Sequence, residues 1–252
     1  MAELRLQGLV VKAGARTVLN GVDLVVPAGQ VVAMVGSSGS GKSVTTRAVL
    51  GLLPFAPGRV AGSVLLADGI NTVDAQSEAD FARLRGGAIG LLSQDARASL
   101  DPMWNIGRQI RAVARLAGQD ADVPGILRTA GFDDPDRIEG LYPHELSGGM
   151  AQRAAIALAL ARRSRFLLAD EPTTGLDPSI QRGVLQELRR VADGGMGVLF
   201  ITHDLRLLPG FADRIVVMAE GRIVEAADRV ADLRGAGRAL VEATRSIAGG
   251  AL

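Results

Sequence analysis

Apolar positions recur along the chain at two spacings, one suited to strands and one to helices. Leu4–Val11 and Val22–Val26 predict short strands, separated by the turn Ala13-Gly14-Ala15. Pro27-Ala28-Gly29 marks a second turn. Gln30–Val35 is a nearly unbroken apolar run, which suits a strand buried on both faces. A glycine-rich turn follows, then a helical stretch from about Lys42 to Leu52, ended by Pro54 and Pro57-Gly58. Ser63–Ala67 predicts a strand leading into the Asp68-Gly69 turn. A helix near Ser77–Arg85 and a strand over Ala88–Leu92 come next.

The middle of the chain changes period. From Ile106 to about Leu141 the pattern is helical, and Ile106, Ile110, Val113 and Leu116 share one face. Gly118, Pro124, Gly131 and Pro135 are expected to break it into short helices. Ser147–Arg163 predicts one long Ala-rich helix with Ser147 at its N-cap. Phe166–Ala169 and Gly197–Thr202 predict buried strands, with a helix over Pro178–Ala192 between them. Two more strands, Arg214–Ala219 and Arg222–Glu225, are joined by Glu220-Gly221, and one or two helices finish the chain. No internal repeat, low-complexity tract or linker interrupts this order. It predicts a mostly parallel α/β core with an N-terminal antiparallel portion and a helical insertion. The expected boundaries are a core over 1–94 and 161–225, an insertion over about 95–160, and a helical tail over 226–252.

Composition narrows the function classes. With 252 residues, 48% of them hydrophobic and 22% charged, the chain can bury a sizeable core. Its longest apolar runs, such as Ala154–Ala161, fall short of the roughly 18 residues a membrane span needs. No basic stretch followed by an apolar one opens the chain, so export is not expected. There is no cysteine, which excludes disulfides, thiolate metal sites and a cysteine nucleophile. The 28 basic and 27 acidic residues nearly cancel, so the charge balance does not point to nucleic acid. Only Lys12 and Lys42 among the basic residues are lysine. A GC-rich genome explains a bias towards Arg, Ala and Gly, but it does not explain which lysines survive.

Three stretches carry chemistry. Gly36-Ser37-Ser38-Gly39-Ser40-Gly41-Lys42-Ser43 follows a buried strand and opens a helix. Glycines let the backbone curl so that its N–H groups face phosphate oxygens, and the helix N-terminus adds favourable potential. Lys42 can reach the β- and γ-phosphates of a nucleotide, and the Ser43 hydroxyl can ligate Mg²⁺. Composition alone would produce such a match in roughly one such chain in four hundred. Phe166–Glu171 is an apolar strand ending in two acids, Asp170 and Glu171. In a phosphate-loop ATPase the first acid assists Mg²⁺ and the second orients and deprotonates the attacking water. Leu146-Ser147-Gly148-Gly149-Met150 places a hydroxyl and bare backbone N–H groups at a helix start, which makes a second anion site. One ATP needs one phosphate cradle, so two cradles in one chain suggest two nucleotides shared between two copies.

In this order the set resembles the ATP-binding subunits of ABC transporters. The match runs from the Walker A loop at 36–43 through Gln94 in the glutamine loop and the signature at 146–150. It continues with Walker B at 166–171, the D-loop Gly175-Leu176-Asp177 and the switch histidine His203, and reaches about Glu225. The implied fold is an ABC ATPase cassette: an α/β P-loop NTPase core with the antiparallel portion and helical insertion described above. Ser93-Gln94-Asp95, Ser99–Pro102, Leu141–Met150 and Ala169–Thr174 are similar to the oligopeptide, dipeptide and nickel importers. The short chain, the missing cysteines and the remnant Arg238-Ala239-Leu240 point towards the compact nickel-type or metallophore-type members.

The resemblance implies two ATPase subunits paired head to tail, with ATP between Walker A of one and the signature of the other. Gly36, Ser37, Ser38, Gly39, Ser40, Gly41 and Lys42 would hold the phosphates. Ser43, Gln94 and Asp170 would organise Mg²⁺, Glu171 would be the general base, and His203 would contact the γ-phosphate. Ser147, Gly148, Gly149 and Asp177 would serve the shared interface. The implied partners are a second ATPase subunit (a sister chain or a second copy), two integral membrane permeases and, indirectly, a solute-binding protein. The subunit would then sit on the cytoplasmic face of the inner membrane. Two alternatives stay open: a soluble ABC-type ATPase for repair, translation or cluster assembly, and an accessory of a soluble complex such as a phosphonate-cleaving one. One departure stands out. The family often stacks adenine on an aromatic at the end of the first strand, where this chain has Ala13. A looser base site is expected, short of a contact worth about 1 kcal/mol.

Overall fold

A computed structural model describes residues 2–53, 58–66 and 88–247. Three strands, β1 (Glu3–Ala13), β2 (Arg16–Pro27) and β4 (Gly58–Leu66), form an antiparallel sheet with β1 in the middle. A second sheet has the order β5-β6-β7-β3-β8-β9, with β3 at Val31–Val35, β5 at Ile89–Leu92, β6 at Phe166–Asp170, β7 at Gly197–Ile201, β8 at Arg214–Ala219 and β9 at Arg222–Ala227. The first five of these run parallel, and β9 returns antiparallel to β8. The described chain also has seven α-helices, α1 (Lys42–Val49), α2 (Ile106–Leu116), α3 (Val123–Thr129), α4 (Pro135–Gly140), α5 (Gly148–Ala161), α6 (Pro178–Asp193) and α7 (Gly235–Ile247), and four single-turn 3-10 helices. None of the described helices is long and apolar enough to cross a membrane.

The unbroken apolar runs have a direct cause. Alternate residues of a strand face opposite sides of its sheet. In β3, Val31, Ala33 and Val35 pack into a core shared with the helices, while Val32 and Met34 pack into a core shared with the antiparallel sheet. In β6, Leu167 and Ala169 divide from Phe166 and Leu168 in the same way. Both faces are covered, so both sets must be apolar.

Several element ends differ from the sequence expectation. β2 starts at Arg16 rather than Val22, because the chain pairs from Ala13↔Arg16 onward across a two-residue turn. β4 starts at Gly58, because it pairs with β1 along the whole length from Ala13↔Gly58 to Leu4↔Leu66. Helix α1 stops at Val49, and Gly51 just beyond it is left-handed at φ 65°. Pro124 and Pro135 do break the middle stretch into short helices, as expected, each by standing at the start of one. Each sits in a first turn, where a missing N–H costs nothing, beside an N-cap aspartate. Asp122 accepts from the Gly125 N–H and Asp134 from the Arg137 N–H. The expected Asp68-Gly69 turn and the helix near Ser77–Arg85 lie outside the described residues.

Candidate functional site

The parallel order puts the carboxyl ends of β3, β6 and β7 along one edge of the sheet. Gly36 leaves β3 there. A Cβ on Gly36 would stand 2.2 Å from the Met218 carbonyl oxygen, so glycine is required by space alone. The loop that follows wraps the side chain at its end. Lys42 Nζ donates to the carbonyls of Gly36 at 2.8 Å and Ser37 at 2.9 Å. Burial lowers the Lys42 pKa, and the nearby carboxylates of Glu171 and Asp170 work against that shift.

Ser43 and Asp170 lie 127 positions apart in sequence, yet Ser43 Oγ donates to Asp170 Oδ1 at 2.8 Å. Asp170 ends β6 and is buried. Burial raises its pKa; the Ser43 hydrogen bond and the Arg47 charge oppose the rise. Glu171 comes next, with its backbone left-handed at φ 50°. Its N–H donates to the Ile201 carbonyl at 3.0 Å, which ties it to β7. Its Oε2 accepts from Thr174 Oγ1 at 3.0 Å and lies 3.2 Å from His203 Nδ1.

A cavity of about 690 Å³ lies over the loop, bounded by Ala13, Arg16, Gly39, Lys42, Glu171 and His203. A further cavity, also about 690 Å³, is bounded by Ser43, Gln94, Asp170 and Thr174. Ser43 borders both. The structure therefore gathers 36–43, Gln94, Asp170, Glu171 and His203 around one sheet edge.

It does not bring Ser147, Gly148 or Gly149 there. None of them lines either cavity. Ser147 caps α5 by accepting from the Met150 N–H at 3.3 Å, and Ser147 and Gly148 are exposed. Gly149 is buried, and a Cβ on it would stand 2.3 Å from Ile180 Cγ2. A Cβ on Gly148 would stand 3.1 Å from Leu176 Cδ2. Leu176 and Ile180 flank Asp177, so the exposed Asp177 belongs with this signature cradle and not with the Walker A loop.

Three neighbours of the Walker A site were given no role of their own by the motif reading. Arg47 lies one helical turn beyond Ser43, on the same face of α1, and that i,i+4 spacing could have flagged it. Thr174 lies three residues after Glu171, the spacing of a tight turn. Gln152 is buried on α5, and its Nε2 donates to the Gln94 carbonyl at 3.4 Å. No local signal marks that contact.

The chain matches the family model described as "ABC transporter" over residues 19–174. A peptide import ATP-binding protein of Brucella abortus (strain 2308) is 44% identical over 238 residues, covering 88% of this chain and 70% of that protein. The oligopeptide transport ATP-binding protein OppD of Bacillus subtilis (strain 168) is 39% identical over 216 residues, covering 82% of this chain and 60% of that protein. Among solved structures, a dimeric ATP-binding cassette in a post-hydrolysis state with ADP and Pi superimposes with a TM-score of 0.74 at 26% identity. It covers 92% of this chain and 99% of its own.

Proposed function

The chain belongs to the ABC transporter family as an ATP-hydrolysing cassette, and from that premise we propose that it powers an importer of small peptides through separate membrane subunits. The names of its relatives support the peptide class. Nickel and metal chelates are the competing cargoes of the same reading. The partners are a second ATPase subunit, two membrane permeases and a solute-binding protein, and the site of action is the cytoplasmic face of the membrane.

One observation carries the mechanism: the Ser43 hydroxyl lies on the Asp170 carboxylate at 2.8 Å, with Lys42 and Glu171 on the same edge. The donors fit Mg²⁺. They are hard oxygens, one of them a carboxylate, beside a cavity that can take phosphates. Among the described residues no three His, Cys, Asp or Glu side chains form a metal cage, and Mg²⁺ held partly by nucleotide phosphates needs none. Ser43, Asp170 and Gln94 would hold it, and its charge would offset that of the β- and γ-phosphates.

The rest falls to this chain's own groups. Lys42 exchanges its loop carbonyls for phosphate oxygens. The amides of 36–43 orient the phosphates. Glu171 takes the proton of the attacking water as its oxygen bonds to the γ-phosphorus and the bond to the bridging oxygen breaks. His203, exposed at the cavity rim, contacts the γ-phosphate. Ser147, Gly148, Gly149 and Asp177 serve the partner's ATP.

Three measurements test this. Glu171→Gln is expected to bind MgATP, turn it over poorly and accumulate as a dimer; normal turnover removes Glu171 as the base. Affinity purification is expected to recover two multi-span membrane proteins. Recovery of soluble enzymes alone would replace the importer with an accessory role in a soluble complex. Peptide, nickel and metallophore titrations of the solute-binding protein separate the cargoes.

A further inference from the structure

We propose that Thr174 is a positioning residue for hydrolysis: it fixes the Glu171 carboxylate so that one oxygen stays free to take the proton of the attacking water. The proposal rests on the reading of Glu171 as the general base.

Thr174 holds Glu171 twice. Its N–H donates to the Glu171 carbonyl at 3.2 Å, closing the turn, and its hydroxyl donates to Glu171 Oε2 at 3.0 Å. An ionised carboxylate can only accept, so the hydroxyl must be the donor. His203 Nδ1 faces the same oxygen at 3.2 Å. Both contacts load Oε2. Oε1 has no hydrogen-bond partner among the described residues.

The frame behind the hydroxyl is rigid. Thr173 is buried, and its carbonyl accepts from Gln181 Nε2 on α6 at 3.2 Å. The Glu171 N–H is bound to β7. The Thr174 donor is therefore set by two elements at once. His203 is not comparable. Its side chain is 62% exposed, and the proposed mechanism takes it to the γ-phosphate. When it leaves, the Thr174 hydroxyl is the side-chain contact that stays on the carboxylate. A glutamate left to rotate spends less time within reach of the water, and a misplacement of about 1 Å can cost a hundredfold in rate. The loss should fall on the chemical step and not on nucleotide binding.

Thr174→Val keeps the shape and removes the donor, and Thr174→Ser keeps the donor. Thr174→Ala stands in if the valine variant does not fold. In the complex purified with its membrane subunits, Thr174→Val is expected to lower kcat about ten- to fiftyfold. KM for MgATP and affinity for a non-hydrolysable ATP analogue should stay within about twofold, and Thr174→Ser should recover most of the rate. Added to Glu171→Gln, Thr174→Val should change the residual rate less than about twofold, because the carboxylate it positions is gone. Three results overturn the proposal: a wild-type kcat in Thr174→Val, a loss of analogue affinity as large as the loss of rate, or full additivity with Glu171→Gln. Normal turnover by Glu171→Gln is a separate failure, that of the base reading itself.

Discussion

Two phosphate cradles in this chain differ in completeness. The 36–43 loop has its lysine folded inside it, a hydroxyl–carboxylate pair beside it, and Glu171 with its own hydrogen bonds at its edge. The Ser147–Gly149 cradle has an exposed serine and glycine at a helix start, and the serine caps only its own helix. Neither cavity at the 36–43 site reaches it. The Walker A cradle faces inward and gathers distant strands. The signature cradle faces outward and is backed by the Leu176–Ile180 segment. The difference teaches what each needs. On the proposed function, the inward cradle takes a nucleotide of its own, and the outward one takes a nucleotide that another chain already holds.

The largest effect should come from the inward cradle. Lys42→Ala is expected to lower turnover at least about a hundredfold. Lys42→Arg should be nearly as damaging, since a planar guanidinium cannot thread the ring of loop carbonyls that the compact ammonium occupies. An arginine variant with more than about a tenth of wild-type turnover would show that charge alone suffices. The outward cradle should fail differently. Ser147→Asp keeps a good N-cap while setting a carboxylate where the partner's phosphate would arrive. ATP affinity of the single subunit should stay within about twofold. The MgATP-dependent dimer of a Glu171→Gln background should disappear from light scattering, because facing like charges cost several kcal/mol. A dimer that survives Ser147→Asp would mean the outward cradle receives no phosphate.

Gly149→Ala probes what backs the outward cradle. Its new Cβ would meet Ile180 Cγ2, so the Ile180 side chain or α5 itself must shift. Overpacking of this kind costs about 1–3 kcal/mol. A lower melting temperature is expected, partly restored by Ile180→Ala, which removes that methyl. No recovery would place the strain elsewhere.

The two cradles were also unequally legible in the sequence. The central strands could be read because burial on both faces leaves β3, β7 and β6 as far as Ala169 without a polar side chain. The full lengths of β2 and β4 could not. They flank β1, and polar positions such as Arg16, Thr17 and Asn20 are exposed there, so pairing and not pattern defines them. Ser147 could be read as a cap because capping is local. The Ser43–Asp170 contact could not be read from spacing, since only the parallel order of β6, β7 and β3 joins them. Motif order supplied what spacing could not. Thr174 fell between the two, being local enough to find but lacking any charge to draw attention.

The smallest effect concerns the outer wall of the inward cradle. That cavity is bounded near the end of β1 by Ala13, Arg16 and Val18, and among the described residues no aromatic side chain other than the His203 ring lines it. With no Tyr, Phe or Trp to stack on, the base should contribute little, and ATP and GTP should bind with near-equal affinity. Ala13→Tyr supplies a ring. Stacking worth about 1 kcal/mol corresponds to about fivefold tighter binding. Stacking does not read hydrogen-bonding edges, so ATP and GTP should both gain. A gain for ATP alone, or a strong ATP preference in the wild type, would mean that a polar group already reads the base. Arg16 is the group in place to do so, and Arg16→Ala would then erase the preference while leaving phosphate binding at Lys42 untouched.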